Sequence, residues 1–200
     1  MMALESNYSG YTLEAGIDEA GRGCLAGPVV AAAVILPVDY KHQLLNDSKQ
    51  LNKKQRELLR KDVVRDAVAW AIGEASPEEI DEVNILNATY LAMHRAIEGL
   101  QVQPEYLLID GNRFKTQSSL PYACIVKGDG KYLSVAAASV LAKTHRDDYM
   151  CGLAEVHHHY GWEKNAGYPT KQHREAIARH GATAYHRQSF TLLPKQLELF

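Results

Sequence analysis

Two adjacent carboxylates, Asp18 and Glu19, follow a short apolar segment of this 200-residue chain and precede a turn rich in glycine. If they end a strand at the mouth of a sheet, their mutual repulsion requires a countercharge, which a divalent cation or a shared proton can supply. An isolated Asp-Glu pair is more often a solvated acidic turn, because most carboxylates are exposed. Further acids must therefore decide between the two interpretations.

Two more aspartates stand near the ends of predicted strands. Asp110 follows the apolar run 106–109, and Asp129 comes shortly after the run 123–126. Each alone could be a turn residue, because Asp-Gly is a common turn pair. Four carboxylates at the carboxyl ends of strands would instead form an oxygen-only site suited to Mg²⁺ or Mn²⁺. Two such cations suit phosphodiester hydrolysis, since one acidifies the attacking water and the other stabilises the leaving oxygen.

The apolar periodicity predicts alternating strands and helices, and therefore an α/β domain with helices over a mixed sheet. Capping signals at Asn52, Ser76 and Thr170 predict helix starts, and further helices are expected over about 85–100 and from about Leu133. In such folds ligands bind at the carboxyl ends of strands, where the four acids are expected. The predicted strands cover residues 11–17, 29–36, 68–73, 106–109 and 123–126.

The composition is typical of a globular protein, with 46% hydrophobic and 23% charged residues and a net charge of −2. The longest apolar run, 29–36, is too short to span a bilayer, and no signal peptide is recognised, so no membrane association is expected. Three widely spaced cysteines predict neither a disulfide framework nor a zinc site, which favours a reducing cytoplasm. Basic residues cluster between Lys164 and Arg187, a region that could face a polyanion.

Two other motifs are rejected on their context. Residues 21–26 satisfy the dinucleotide fingerprint G-x-G-x-x-[GA], with Asp39 near the position of a ribose-binding acid. Preceding carboxylates would repel a pyrophosphate, and a β-branched run follows where the fingerprint requires a helix. The consecutive histidines 157–159 predict a solvated helix end, since neighbouring helical side chains point about 100° apart and cannot converge on one ion.

Several blocks of the sequence, in order, resemble the type 2 ribonuclease H family, and within it bacterial ribonuclease HII. The resemblance covers nearly the whole chain and implies a ribonuclease H-like mixed sheet flanked by helices. Residues 1–190 would form the catalytic domain, with a helical substrate-binding part at about 160–190, and 191–200 would be a tail. The blocks are Gly16 to Gly23, Asn46 to Lys49, Ile109 to Asn112, Val126 to Asp129, Ala136 to Lys143 with Arg146-Asp147, Gly167 to Thr170, and His186 to Phe190.

By position, the metal ligands of the family fall on the four acids already grouped by their placement. Its groups that recognise the junction between RNA and DNA fall on the glycine-rich turn and on one tyrosine. The implied ligands are Asp18, Glu19, Asp110 and Asp129, and the implied junction residues are Gly21, Arg22, Gly23 and Tyr168.

Four basic side chains are candidate phosphate contacts. Two positions depart from the family pattern: Cys24 stands where proline is usual, and Gln50 stands where a second lysine is usual. The first departure could shift the turn, and the second removes one potential phosphate contact. The candidate contacts are Lys49, Lys143, Arg146 and Arg187.

The resemblance implies a monomeric endoribonuclease with two Mg²⁺ or Mn²⁺ ions that hydrolyses the RNA strand of RNA/DNA hybrids. It would also cut 5′ of single ribonucleotides embedded in duplex DNA, leaving 3′-hydroxyl and 5′-phosphate ends, and would serve ribonucleotide removal and primer RNA degradation. The relative with an additional N-terminal domain is not expected, because the Asp-Glu pair comes early. The alternative is a non-catalytic nucleic-acid-binding module that uses the basic region 164–187, against which the intact acids argue.

The last five residues, 196–200, resemble the short peptides by which bacterial replication and repair proteins dock on the sliding clamp. Gln196 would make a polar contact, and Leu197, Leu199 and Phe200 would fill an apolar pocket. The segment stands at a terminus, where chains are commonly mobile. The alternative is a C-terminal turn whose apolar side chains pack on the domain.

Overall fold

The computed structural model describes residues 4–45, 52–116 and 118–193, and it contains alternating strands and helices. The strands are β1 (Glu14–Ala20), β2 (Val29–Ile35), β3 (Ala69–Ala75), β4 (Tyr106–Asp110) and β5 (Tyr122–Ile125). The α-helices are α1 (Lys53–Asp66), α2 (Pro77–Glu98), α3 (Leu133–Val156), α4 (Trp162–Asn165) and α5 (Lys171–His180). Short 3₁₀ turns cover Gly128–Gly130 and His158–Tyr160.

The five strands form one mixed sheet in the order β3-β2-β1-β4-β5. Strand β2 pairs antiparallel with both β1 and β3, whereas β4 pairs parallel with both β1 and β5. The predicted mixed sheet flanked by helices is therefore confirmed. Because β1, β4 and β5 run in the same direction, their carboxyl ends lie along one edge of the sheet.

Alternating side chains of the central strands supply two apolar cores, one on each face of the sheet. Ile17 and Ala31 point towards α2, where they pack among Ala92 and Met93. Their neighbours on β2, such as Val30, Ala32 and Val34, point towards α1 and α3 on the opposite face. A strand that is buried on both faces reads as a continuous apolar run, which is why the stretch 29–36 was recognisable. None of the helices in the described ranges is both long and apolar enough to cross a membrane.

The predicted helix starts are confirmed, because the capping side chains make the expected hydrogen bonds. Asn52 and Ser76 each form a reciprocal capping box, and the Thr170 hydroxyl accepts from the His173 amide. Helix α2 is interrupted at Asn84, whose φ of 68° is left-handed. The predicted helix over about 85–100 is the segment after this interruption.

Three local predictions need correction. Strand β1 ends at Ala20 and not at Ile17, since its antiparallel ladder with β2 continues to that residue, so Asp18 and Glu19 belong to the strand. The apolar spacing at the start of α1 predicts Leu58 and Leu59 on one buried face, but Leu58 is 53% exposed, because α1 turns Leu59 towards the core. His157 follows α3 and packs its ring against the Trp162 ring at 5.6 Å, while the two later histidines are exposed.

Two glycines in the strands allow helices to approach the sheet closely. A Cβ atom at Gly16 would lie 2.2 Å from the backbone carbon of Ser134 on α3, and one at Gly73 would lie 2.1 Å from the Ala92 oxygen on α2. Neither contact is possible between real atoms. Glycine at these positions therefore sets the distance between each helix and the sheet.

We predict that Gly16→Ala lowers the free energy of unfolding by about 2 kcal/mol, because the methyl group forces α3 away from the sheet. The control is Gly152→Ala on α3, where a Cβ atom would contact nothing within 4 Å. This variant should gain about 1 kcal/mol, since alanine loses less backbone entropy in a helix. Urea denaturation of both variants measures the difference, and equal stabilities would contradict the packing argument.

Candidate active site

The parallel pairing of β1 with β4 brings two of the predicted acids together. Ile17 pairs with Ile109 at the end of the ladder, so the next residues, Asp18 and Asp110, are neighbours at the carboxyl edge. Because successive side chains of a strand point to opposite faces, Asp18 is directed towards α3 and Glu19 towards α2. This edge is the location that the sequence predicted for the site.

Asp18 is 5% exposed and carries a strongly shifted pKa. Burial and the adjacent Glu19 raise the pKa of Asp18 to about 7, and Asp110 adds to the repulsion. A hydrogen bond from Ser139 and the charge of Lys143, both on α3, oppose this rise only in part. The Lys143 ammonium in turn donates to the Ser139 hydroxyl. In the absence of a cation, the site therefore favours a proton on Asp18.

Glu19 lines the cavity between β1 and α2, and only one of its oxygens is paired. Arg22 donates to Oε1 at 2.9 Å, whereas the buried Oε2 has no hydrogen-bond partner in the described part of the chain. Burial raises the pKa of Glu19, and the hydrogen bond from Arg22 opposes that rise. A buried carboxylate oxygen without a donor is costly unless another ligand satisfies it.

Asp110 connects the strand ends to the turn that carries Asp129. The Gly128 amide donates to Asp110 Oδ1 at 2.6 Å, and Lys127 adopts a left-handed conformation with φ of 58° that turns the chain after β5. Asp129 lies buried in the following 3₁₀ turn, four residues after the end of β5. The turn therefore holds Asp129 close to the edge on which the other three acids lie.

The donor chemistry of these acids fits a hard divalent cation. Carboxylate oxygens are the preferred ligands of Mg²⁺ and Mn²⁺, and the unpaired Glu19 oxygen is an available donor. Within the described residues, no group of three or more His, Cys, Asp or Glu side chains is already spaced as a formed metal site.

The glycine-rich turn after β1 is held by a buried guanidinium. Arg146 on α3 is 2% exposed and donates to the carbonyl oxygens of Ala26, Pro28 and Ala166. Gly21, with φ of 92°, allows this approach, since a Cβ atom there would lie 2.0 Å from the Arg146 Nε atom. The interpretation of Arg146 as a phosphate contact is therefore wrong: its donors are used within the fold.

Arg187 requires the same correction. Its side chain is fully buried, and it donates to the carbonyl oxygens of Gly21, Arg22 and Gly27. Burial lowers the pKa of Arg187 to about 10, which still leaves the group charged at neutral pH. Arg187 therefore shapes the turn and does not face substrate.

The turn presents exposed groups beside the acids. Arg22 and Gly23 are exposed, and a Cβ atom at Gly23 would contact nothing within 4 Å. Tyr168 is 49% exposed on the helical C-terminal part, and its hydroxyl lies against the buried Cys24 thiol. The Leu25 amide donates to the Gly167 oxygen at 2.8 Å, which joins the two segments. The structure thus places the predicted junction residues on adjoining loops.

The remaining predicted residues divide into three groups. Lys143 is exposed beside Asp18 and stays a candidate phosphate contact. Of the basic region 164–187, Arg174 donates to the Thr191 and Leu192 oxygens, which weakens the proposal of a binding module based on this region. The other predicted residues lie outside the described residues: Lys49, Gln50, Gln196, Leu197, Leu199 and Phe200.

The sequence interpretation missed Ser139, although a usable signal was present. Ser139 precedes Lys143 by four residues on a predicted helix, and residues at that spacing lie on one face. The spacing therefore places both side chains on one helix face, and in the structure both act on Asp18.

Comparison with known proteins agrees with this geometry. The family model for ribonuclease HII matches residues 15–193. A ribonuclease HII from Bacteroides fragilis is 65% identical over 189 residues, which is 94% of each chain, and one from Cytophaga hutchinsonii is 62% identical over 200 residues, 100% of this chain and 99% of that one. The chain belongs to the ribonuclease HII family. It is accordingly a ribonuclease H enzyme.

Solved structures of ribonuclease HII relatives support the same assignment. The ribonuclease H2 of Pyrococcus horikoshii OT3 aligns with a TM-score of 0.74 and 25% identity, covering 90% of this chain and 94% of that chain. The ribonuclease HII of Archaeoglobus fulgidus, solved in a PCNA complex, aligns with a TM-score of 0.76 and 28% identity. The alignment covers 94% of this chain and 100% of that chain. The mixed sheet and its flanking helices are thus the fold of these relatives.

We predict that Asp18→Asn stabilises the protein when divalent ions are removed. The folded state keeps the Asp18 proton up to about pH 7, whereas the unfolded state releases it near the ordinary aspartate pKa of 3.8. The stability of the parent protein should therefore fall as pH rises through this window, and asparagine, which does not titrate, should avoid the loss. The difference should reach at most about 4 kcal/mol above pH 7 and vanish near pH 4.

Urea denaturation in a chelating buffer at pH 4, 6 and 8 measures this difference. The control is Glu155→Gln, which changes an exposed acid near the end of α3. A stability difference between parent and Asp18→Asn that does not change with pH would contradict the assignment.

Proposed function

We propose that this ribonuclease H is a metal-dependent endonuclease that hydrolyses the RNA strand of RNA/DNA hybrids. It also cuts 5′ of single ribonucleotides in duplex DNA and leaves 3′-hydroxyl and 5′-phosphate ends. The observation that carries the proposal is the unpaired, buried Glu19 oxygen beside Asp18 and Asp110 at the carboxyl edge of parallel strands. Its uses would be ribonucleotide removal and degradation of primer RNA.

Asp18, Glu19, Asp110 and Asp129 would hold two Mg²⁺ or Mn²⁺ ions. A structural neighbour with 19% identity and a TM-score of 0.68, Bst-RNase HIII, was crystallised in complex with Mn²⁺. When bound, such cations lower the pKa of the attacking water and stabilise the leaving oxygen. The buried carboxylates orient the ions, and the exposed Lys143 lies ready to contact a phosphate beside Asp18.

Recognition of RNA would depend on the glycine-rich turn and Tyr168. Gly23 is exposed with open space beside it, so the main chain there can approach the 2′-hydroxyl closely, whereas Gly21 is buried against Arg146 and shapes the turn. That hydroxyl is the group that distinguishes RNA from DNA. Tyr168 would stack on the sugar of the following deoxyribonucleotide. The half-exposed ring and its link to the turn through Gly167 and Leu25 support this role.

We predict that Asp18→Asn and Asp110→Asn each lower kcat by about 10³-fold or more, because cation catalysis contributes several kcal/mol to the transition state. The assay uses duplex DNA with one ribonucleotide, with Mg²⁺, with Mn²⁺ and without either, and sequencing of the products identifies the ends. Glu155→Gln is the control and should keep parental activity.

Near-parental turnover of a folded Asp18→Asn or Asp110→Asn variant would refute the assignment of the acids. Activity without added divalent ions, after chelation, would refute metal dependence.

In the same assay, Tyr168→Ala should reduce cleavage at the single ribonucleotide more than it reduces binding to plain duplex DNA. An equal loss in both measurements would contradict its proposed role at the junction.

We further propose that the C-terminal tail docks on the bacterial sliding clamp through Gln196, Leu197, Leu199 and Phe200. The Archaeoglobus fulgidus relative was solved in complex with PCNA, which supports a clamp as partner. Arg174 holds the Thr191 and Leu192 carbonyls, so the chain enters the tail from an anchored position. The site of action would be the cytoplasm, which the three free cysteines support.

We predict that a chain ending at Lys195 loses clamp binding. The full-length protein should bind the clamp with a micromolar Kd, equivalent to about 8 kcal/mol, and the truncated chain should show no binding at the same concentrations. Cleavage of free duplex should remain equal. Identical clamp binding by both chains would refute the docking proposal, and unfolding of the truncated chain would show that the tail packs on the domain.

A further inference from the structure

A surface groove leads away from the acids along helix α2. Its inner end is lined by Glu19 and Asp110 on one side and by Tyr90 of α2 on the other. Tyr90 also lines the middle and outer parts, so the three parts are continuous. The outer part alone has a volume of about 660 Å³. We call this feature the α2 groove: it lies between α2 and the loop formed by residues 111–116.

The loop wall of the α2 groove presents two basic side chains. Arg113 and Lys115 are exposed and line the groove, whereas Phe114 between them is buried. This alternation is that of an extended chain, in which residues two apart point to the same side. Arg113 and Lys115 therefore lie on the same side of the loop, and both line the groove.

Contacts to α2 and to β5 hold this loop in place. The Phe114 ring packs edge-on against Tyr90 at 6.0 Å and against Tyr122 at 5.5 Å. His94 of α2 hydrogen bonds to the Lys115 carbonyl at 2.8 Å, and its ring lies 5.1 Å from Phe114. The backbone that carries the two cations is thus anchored on both sides, which lowers the entropy cost of binding a ligand.

The charges of the α2 groove favour a polyanion. In the described part of the chain, the side chains of Arg113 and Lys115 take part in no hydrogen bond or ion pair. Arg22 lines the inner end, although it pairs with Glu19 there. Glu98, at the end of α2, is the acidic residue that lines the outer part of the groove. Unpaired cations along a groove that begins at the acids can neutralise phosphates of a nucleic-acid strand.

We propose that the α2 groove binds the sugar-phosphate backbone of the substrate duplex beyond the cleaved bond, with Arg113 and Lys115 contacting phosphates. This inference rests on the proposed function, because it requires a nucleic-acid substrate at the acids. Phosphate contacts are independent of sequence, so the groove contributes affinity and orientation and does not distinguish RNA from DNA. It extends the binding surface to the face of the sheet that α2 covers.

The test compares the double variant Arg113→Gln/Lys115→Gln with the double variant Lys54→Gln/Lys61→Gln. The second pair removes the same charge from α1, which packs on the opposite face of the sheet. Fluorescence anisotropy without divalent ions measures the Kd for duplex DNA with one central ribonucleotide at several salt concentrations. The groove variant should bind about tenfold more weakly at low salt, and its salt slope should fall by about two, one for each lost phosphate contact. The α1 variant should match the parent.

Duplexes shortened stepwise from either end locate the contact. Shortening the duplex from one end should remove the phosphates that contact the groove. On duplexes below that length, the parent should bind as weakly as the groove variant. Equal Kd values and salt slopes for the parent and both variants would overturn the proposal, as would equal losses in the two variants. If the parent cleaves the duplex but the parent and both variants have equal Kd values and salt slopes, only this inference fails. If the parent does not cleave it, the proposed function fails.

Discussion

Two buried guanidinium groups hold the turn on which the site depends. Arg146 reaches it from α3 and Arg187 from the C-terminal part, and both donate to main-chain carbonyls between Gly21 and Pro28. A buried charge is stable only when its donors are satisfied, and here carbonyl dipoles satisfy them. The same contacts join three separate segments of the chain. The turn is therefore fixed relative to Asp18, which lies three residues before Gly21 on β1.

The acids impose the opposite constraint, because their arrangement costs stability. Burial and the charge of Glu19 raise the pKa of Asp18, and burial and the charge of Asp110 raise that of Glu19. Lys143 and Arg22 compensate only in part. Such a site is retained at the expense of the free energy of folding, as is common where side chains are arranged for chemistry. The close packing of α3 at Gly16 gives the sheet edge the rigidity to hold these acids.

A chain of buried rings positions Tyr168 from the other side. The Trp162 indole donates to His173 Nε2 at 3.0 Å, so His173 carries its proton on Nδ1 and donates to the Tyr168 carbonyl at 2.9 Å. His186 accepts from the Thr183 amide through Nδ1 and lies 3.2 Å from His173 through Nε2. Burial lowers the pKa of both histidines, that of His186 to about 4, so both rings are neutral at physiological pH. These histidines are structural, and they orient an exposed residue.

Local signals in the sequence determined the helix starts, the apolar strands and the grouping of the four acids. Capping and apolar periodicity act over a few residues, so they can be recognised without the fold; the Ser76 capping box is an example. The roles of Arg146 and Arg187 were decided by tertiary structure alone. A basic residue in sequence looks the same whether it faces solvent or buried carbonyls, and the carbonyls that Arg187 contacts come from residues about 160 positions earlier. The groove at Arg113 likewise exists only because Phe114 packs against a helix that is distant in sequence.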